Sequence, residues 1–177
     1  MGRAVDIQKS NGFTLIELLM VVALIGIISA VAVPGMIRAR ESGNEASAIG
    51  SVRSVVAGQA AFAATCGAGG YADSLTTLAT PPAGGVPFIS PDLAGGVKSG
   101  YDVMLTSGGI LVLPAANTCN TVADSRAAFL VTATPRAVGQ TGNRSFGADE
   151  RGIIYQDGTG VTLLAPLAAA GTVTLLQ

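Results

Sequence analysis

The chain has 177 residues, of which 49% are hydrophobic and only 12% are charged, and ten basic against eleven acidic residues give a net charge of −1. This balance argues against a dedicated nucleic-acid binder, which needs an excess of Lys and Arg. The complete lack of histidine excludes His-dependent acid–base catalysis and imidazole-ligated metal sites, so we expect a non-enzymatic chain without a cofactor or a bound metal.

An uncharged run, residues 18–37, has the sequence LLMVVALIGIISAVAVPGMI. At about 1.5 Å per residue, such a helix spans roughly 30 Å, the thickness of a bilayer core. Three interpretations fit this segment. It is a cleaved signal peptide with Arg3 and Lys9 in its basic leader, a plain transmembrane anchor, or a segment whose processing site precedes the apolar run.

A carboxylate at Glu17 favours the third interpretation. It lies within the apolar stretch that begins at Phe13, where a lone charge costs about 2.5–3.5 kcal/mol on insertion scales. A signal peptide or a plain anchor gains nothing from it. A chain cleaved just before Phe13 has a new terminal amine that can pair with Glu17 of a neighbouring subunit. We therefore interpret Glu17 as an assembly residue, and the alternative is a tolerated polar residue near the membrane interface.

The sequence of residues 12–18, Gly-Phe-Thr-Leu-Ile-Glu-Leu, resembles the cleavage and methylation signature of type IV pilins and of the pseudopilins of type II secretion. The short leader, residues 1–12, resembles the type IVa class, and Pro34 fits a proline that members often carry in the membrane helix. The resemblance covers about residues 1–64. It implies that a prepilin peptidase cleaves after Gly12 and methylates the new amine on Phe13.

This resemblance also implies a function, partners and a location. The chain would be a structural subunit of a type IV pilus-like filament, a homo-oligomer polymerised through its N-terminal helices, with Glu17 and Pro34 as assembly residues. A type II secretion pseudopilin and a minor pilin are the alternatives. An assembly ATPase and an inner-membrane platform protein are implied as partners. The precursor would cross the inner (cytoplasmic) membrane once, and the product would be an extracellular pilus or a periplasmic pseudopilus.

After the apolar run, the pattern indicates an amphipathic stem helix over residues 38–65, here called the stem. Its apolar positions recur at helical spacing: Ile49, Val52, Val56 and Ala63, with Val55 and Phe62 beside them. Glu45, Ser51 and Arg53 fall off that stripe. Joined to the apolar run, the stem completes one long helix over residues 13–65, which we expect to bend or unwind locally at Pro34 because proline lacks a backbone donor.

The only two cysteines, Cys66 and Cys119, lie in the remaining part of the chain, residues 66–177, here called the head. Two cysteines without histidine cannot form a tetrahedral zinc site. In an exported domain an even pair is typical of a disulfide, with two unpaired thiols as the alternative. A disulfide here would connect the end of the stem to the middle of the head.

Turn residues and alternating patterns divide the head into short elements. We predict a brief helix near residues 74–78 and strands at 101–106, 110–113, 127–134, 145–148 and 152–156. Ser107-Gly108-Gly109 would form a hairpin turn between the first two strands. The uncharged end, residues 161–177, would add one or two strands or serve as a subunit contact. Asp149, Glu150 and Asp157 lack the spacing of a calcium loop and are interpreted as parts of solvated turns.

The predicted fold class is α+β, with a long N-terminal helix that spans the membrane in its first half. A small antiparallel sheet of three or four strands packs on its second half, which is the pilin fold. The expected division of the chain is a leader peptide at residues 1–12, a transmembrane assembly helix at 13–37, the stem at 38–65 and the head at 66–177.

Overall fold

The computed structural model describes residues 12–176. The chain divides into two compact units, Met1–Arg38 and Ala39–Gln177. One helix, α1, covers Leu15–Thr65 and thus contributes to both units. The helix is continuous at Pro34, so the expected local unwinding at that residue is wrong. The leader residues Arg3 and Lys9 lie outside the described residues.

In the first unit, every side chain of α1 from Leu15 to Arg38 is exposed. The helix is long and apolar enough to cross a bilayer, and none of the apolar window that meets this criterion is buried by the rest of the chain. A helix with apolar side chains on all sides is not stable when it is exposed to water. These side chains therefore need lipid or other helices to cover them.

In the second unit, one face of the stem supplies buried side chains. Val52, Val55 and Phe62 are fully buried as the spacing predicted, and Arg53 is exposed. Glu45 and Ser51 are also buried, which corrects their placement outside the buried stripe. Their burial is possible because both are hydrogen-bonded: Ser51 donates to the Ser47 carbonyl, and the partners of Glu45 are described below.

The connection between the stem and the sheet contains the short helix α2, Leu75–Ala79, which is capped by Ser74 and confirms the predicted brief helix. A 3-10 turn follows at Pro91–Leu93, and a second one, Ala115–Asn117, lies later in the chain between two strands of the sheet. The fully buried Gln59 of the stem fixes this connection, because its amide both donates to and accepts from the backbone of Ala72, at 2.9 and 2.8 Å.

The sheet has six strands in sequential order, and every neighbouring pair is antiparallel. The strands are β1 Val97–Lys98, β2 Tyr101–Leu113, β3 Ser125–Pro135, β4 Ser145–Asp149, β5 Ile154–Asp157 and β6 Val173–Leu175. The predicted strands β3, β4 and β5 are confirmed, whereas the expected number of three or four strands is too low.

The hairpin predicted at residues 107–109 is wrong. Gly108 and Gly109 lie within the single long strand β2, where Gly108 pairs with Ala128 and the register shifts before Leu111. The positive φ of Gly109, 73°, serves a bulge rather than a turn. Because β3 pairs with β2 on both sides of the glycines, the chain does not reverse there.

The stem and one face of the sheet share a single hydrophobic core. Tyr101, Val131 and Phe146 from the sheet belong to the same buried cluster as Val52 and Phe62 from the stem. A long apolar helix followed by an antiparallel sheet gives an α+β, pilin-like architecture, as predicted.

A disulfide joins Cys66 and Cys119, with a Cα–Cα distance of 4.7 Å. Cys66 directly follows α1, and Cys119 lies in the connection between β2 and β3. In the loop-entropy account, closing a loop with a sequence separation of 53 stabilises the folded state by about 4 kcal/mol. The bond therefore holds the end of the stem next to the longest strand pair of the sheet.

Candidate processing and assembly site

The predicted cleavage residues lie at the start of the described chain, before α1. Gly12 and Phe13 have no regular secondary structure, and the Phe13 side chain is 81% exposed. A Cβ added at Gly12 would meet no atom within 4 Å. Among residues 12–176, no atom therefore blocks the approach of an enzyme to the peptide bond between these two residues.

Thr14 and Glu17 form a reciprocal cap at the first turn of α1. The Thr14 backbone amide and hydroxyl donate to Glu17 Oε2 at 3.0 and 2.7 Å. In return, the Glu17 amide donates to Thr14 Oγ1 at 3.2 Å. This is the capping-box arrangement, which satisfies backbone donors that have no partner within a helix.

The cap gives Glu17 a second role that the sequence interpretation missed, although Thr-x-x-Glu before an apolar run is its usual sequence signal. Both hydrogen bonds from Thr14 reach Oε2. Within the described residues, Oε1 accepts no hydrogen bond and is available as an acceptor. The carboxylate can thus keep its cap and still receive a donor from another chain.

Pro34 lies in the last third of the exposed part of α1. Because proline has no backbone N–H, the carbonyl one turn earlier, at Ala30, loses its usual helical donor. A Cβ at the adjacent Gly35, or at Gly26, would meet no atom within 4 Å. At each of these two glycines another helix could therefore approach the backbone closely.

Residues 7–33 match the family model described as the prokaryotic N-terminal methylation motif. The chain carries the leader signature of type IV pilins and pseudopilins. The methylation motif contains Gly12, Phe13 and Glu17, and it is a signature of structural subunits that are processed by a prepilin peptidase from membrane-anchored precursors. No curated protein and no solved structure matches the chain.

Outside the methylation motif, the most extensive polar network joins the stem to the sheet through Glu45. Its Oε1 accepts from the backbone amides of Asn143 and Arg144 at 2.9 and 3.2 Å. Its Oε2 accepts from Nε and Nη2 of Arg144 at 2.9 and 2.6 Å. Arg144 also donates through Nη1 to Gln156 on β5 at 2.9 Å. One carboxylate therefore links the stem to the loop before β4 and, through Arg144, to β5.

The electrostatics of this network favour the charged form of Glu45. Burial opposes ionisation, but the hydrogen bonds from Asn143 and Arg144 and the guanidinium charge hold the pKa of the Glu45 carboxyl below its ordinary value. Tyr101 donates to the Arg144 carbonyl at 2.8 Å, and burial, with the nearby negative Glu45, raises the pKa of its hydroxyl. The arrangement therefore holds the stem, the loop before β4 and strand β5 together.

Asp149 and Asp157 are buried, so their interpretation as parts of solvated turns is wrong; only Glu150 is exposed. Asp149 is paired with Arg151, whose Nη2 also donates to the Leu167 carbonyl at 2.5 Å. Asp157 Oδ1 accepts from the amide and the hydroxyl of Thr159, both at 2.8 Å, and these hydrogen bonds lower its pKa. Among the described residues, no group of three or more potential ligands could hold a metal ion.

Proposed function

We propose that this chain is the precursor of a structural subunit of a type IV pilus-like filament. A prepilin peptidase cleaves it after Gly12 and methylates the new amine on Phe13, and the mature chain polymerises through its N-terminal helices. The observation that carries this proposal is the methylation motif at residues 7–33, placed at the start of a helix whose apolar side chains are all exposed as far as Ile37.

The proposed division of the chain follows from what covers each part. Residues 1–12 are the leader, 13–37 the transmembrane assembly helix, 38–65 the stem and 66–177 the head. Lipid covers the assembly helix in the precursor, and neighbouring copies of the same helix cover it in the filament. Apolar surface is thus covered in both states, so the transfer from membrane to filament leaves no large apolar area in water.

In this proposal, the pairing of Glu17 sets how neighbouring subunits align along the polymer. A carboxylate among apolar helices is costly unless it is paired, and cleavage before Phe13 creates the matching cation. We propose that the amine of one subunit donates to Glu17 of its neighbour while Thr14 keeps its cap on the same carboxylate. Pro34 leaves the Ala30 carbonyl without its donor and allows α1 to adapt to the packing of the fibre.

The partners in this proposal are the prepilin peptidase, an inner-membrane assembly platform and an assembly ATPase. The precursor lies in the inner membrane with a single span, and the product is an extracellular pilus. The proposal requires no catalysis by the chain itself.

Mass spectrometry of the sheared extracellular fraction and of the membrane fraction tests this proposal. An abundant fibre subunit that begins at N-methylated Phe13 supports a major pilin. The same terminus confined to membranes would replace it with a pseudopilin or a minor pilin. A terminus at Met1 or at Val33 would refute processing at Gly12.

Three variants, one of them a control, test cleavage and assembly separately. Gly12→Val should leave an uncleaved chain that stays in the membrane, whereas Gly26→Val, in the exposed helix, serves as a matched control that should still be cleaved after Gly12. Glu17→Gln should be cleaved like the wild type but be depleted from the fibres at least ten-fold. If Glu17→Gln gave the wild-type fibre yield, the charge of the Glu17 carboxylate would not be needed for assembly.

A further inference from the structure

The face of the sheet that is turned away from the stem carries a cleft of about 540 Å³. Leu130 of β3 lines this cleft. Side chains alternate between the two faces of a strand, and the next residue, Val131, belongs to the core shared with the stem. Leu130 therefore lies on the opposite face, where it packs against Leu163 and Leu167 of a second, smaller apolar cluster. Helices that pack around the stem would not cover the cleft.

The cleft exists because its strand residues carry little side-chain volume. Gly108 of β2 pairs with Ala128 of β3, two positions along from the pair of Thr106 with Leu130. Residues that pair directly share one face of a sheet, so a glycine and a methyl group lie side by side here. A Cβ added at Gly108 would make an ordinary contact with Ala128 Cβ, at 3.8 Å. A larger residue at Gly108 would therefore fit and would fill the cleft.

Two other parts of the head line the remaining sides of the cleft. One is the turn between β4 and β5, residues 149–151, and the other contains Ala165 and Pro166. Arg151 connects them, because it is paired with Asp149 and donates to the carbonyl of Leu167. The cleft is thus a built concavity, and its volume lies within the range of small-molecule sites, roughly 300–1,000 Å³.

The lining of the cleft carries one uncompensated negative charge. Its charged residues are Asp149, Glu150 and Arg151. Asp149 and Arg151 neutralise each other, and the Arg151 guanidinium also lies 5.7 Å from the centre of the Tyr155 ring. Glu150 is exposed and forms no ion pair within residues 12–176. Every basic residue of the described head already pairs with another carboxylate, so the cation that complements Glu150 must come from outside.

We propose that the cleft binds a small organic cation, namely an amine attached to an apolar body. The body would lie over Gly108 and Ala128, and the ammonium group would pair with Glu150. This inference goes beyond the proposed function and does not depend on it, because the cleft lies within the second unit of a single chain. In a fibre, each subunit would carry one such site on the side away from its stem, so the sites would be repeated along the polymer.

A fluorescence titration tests this site in the full-length chain, held in nanodiscs of zwitterionic lipid, with empty nanodiscs as the background. The probe is dansylcadaverine, which joins an apolar fluorophore to a primary amine. We expect saturable binding with a dissociation constant below about 1 mM. Dansyl-aminohexanoic acid, which carries a carboxylate in place of the amine, should bind at least five-fold more weakly.

Two variants test the role of the charge. Glu150→Gln should weaken binding of the cationic probe at least three-fold without weakening the anionic probe. Asp92→Asn is the matched control, since it removes another exposed carboxylate of the head, outside the cleft lining, and should leave both affinities unchanged. Equal wild-type affinity for the two probes, or an unchanged affinity of Glu150→Gln for the cationic probe, would overturn the proposal.

Filling the cleft provides the second measurement. Gly108→Leu, or Ala128→Leu from the neighbouring strand if the first variant does not fold, should abolish binding of both probes. Gly95→Leu, at an exposed glycine with nothing within 4 Å, should bind like the wild type. An intact disulfide on a non-reducing gel and cooperative thermal unfolding control for folding. No saturable binding to the wild type, or wild-type binding by a filled cleft, would refute the site. A chain that is not cleaved after Gly12 would refute the proposed function and leave this titration unaffected.

Discussion

Replacing Glu45 by glutamine tests the most densely bonded polar contact in the described chain. The wild-type carboxylate is 8% exposed and accepts four hydrogen bonds from Asn143 and Arg144. Breaking a buried ion pair costs about 3–5 kcal/mol. The cost here is smaller, because the Arg144 side chain is 42% exposed and regains water, and glutamine retains one oxygen for the two backbone amides. We expect a loss of about 2 kcal/mol in the free energy of unfolding.

Urea unfolding of the detergent-solubilised chain measures this loss, and thermal unfolding should show a decrease of about 2–4 °C per kcal/mol. Glu41→Gln is the matched control. Glu41 lies one helical turn earlier and accepts a single hydrogen bond from the Asn143 side chain, at 3.2 Å, so its replacement should cost less than about 0.5 kcal/mol. Equal losses for the two variants would refute the assignment of Glu45 as the main link between the stem and the sheet.

Three further predictions follow from the same structure. The folded pKa of Glu45 lies below its ordinary value of 4.5, so the contribution of Glu45 to stability should be present above pH 4.5 and lost as the pH falls through the folded pKa. Below pH 4.5, the free energy of unfolding should therefore depend less on pH in Glu45→Gln than in the wild type. Parallel curves for the two proteins would contradict this. Thr14→Ala should lose the cap and about 1 kcal/mol of local helix stability, measured by amide hydrogen exchange of the first turn in micelles, whereas Thr14→Ser should retain it. Gly58→Ala should destabilise the chain by about 1–3 kcal/mol, since the new Cβ would lie 2.6 Å from Ile89 Cγ2. Gly50→Ala, with nothing within 4 Å, should instead stabilise the helix by up to about 1 kcal/mol. Thermal unfolding that ranks the two variants in the opposite order would show that the loop containing Ile89 moves to make room.

The parts of the fold that local patterns encode could be predicted. Helical spacing identified Val52 and Phe62 as buried, and turn residues located the ends of β4 and β5. Glu45 escaped prediction because a carboxylate is buried only when partners satisfy it, and its partner Arg144 is 99 positions away. Local spacing contains no information about such a pair.

The glycines of β2 show a different limit. Gly108 and Gly109 suit both a turn and a bulge, since both need backbone conformations that glycine adopts easily. Only the length of β3, which pairs on both sides of them, decides between the two. Strand β1 contains two residues, too few for an alternating pattern, so it escaped prediction, whereas β6 lies in the uncharged end where one or two strands were expected. At the processing site, the residues were visible in sequence, and the Thr-x-x-Glu spacing also indicates the Thr14–Glu17 cap, although the sequence interpretation did not use it.

The strictly sequential order of the six strands has a consequence for how the second unit folds. Every strand after the first pairs with the strand that directly precedes it along the chain, and no strand waits for a later one to be inserted between it and its neighbour. The contacts within the sheet therefore have low sequence separation, which speeds folding. As the chain is synthesised, the stem comes first and each new strand adds to an edge that already exists. The sheet can therefore grow in the order in which its residues become available, and a truncated chain would retain its earlier hairpins.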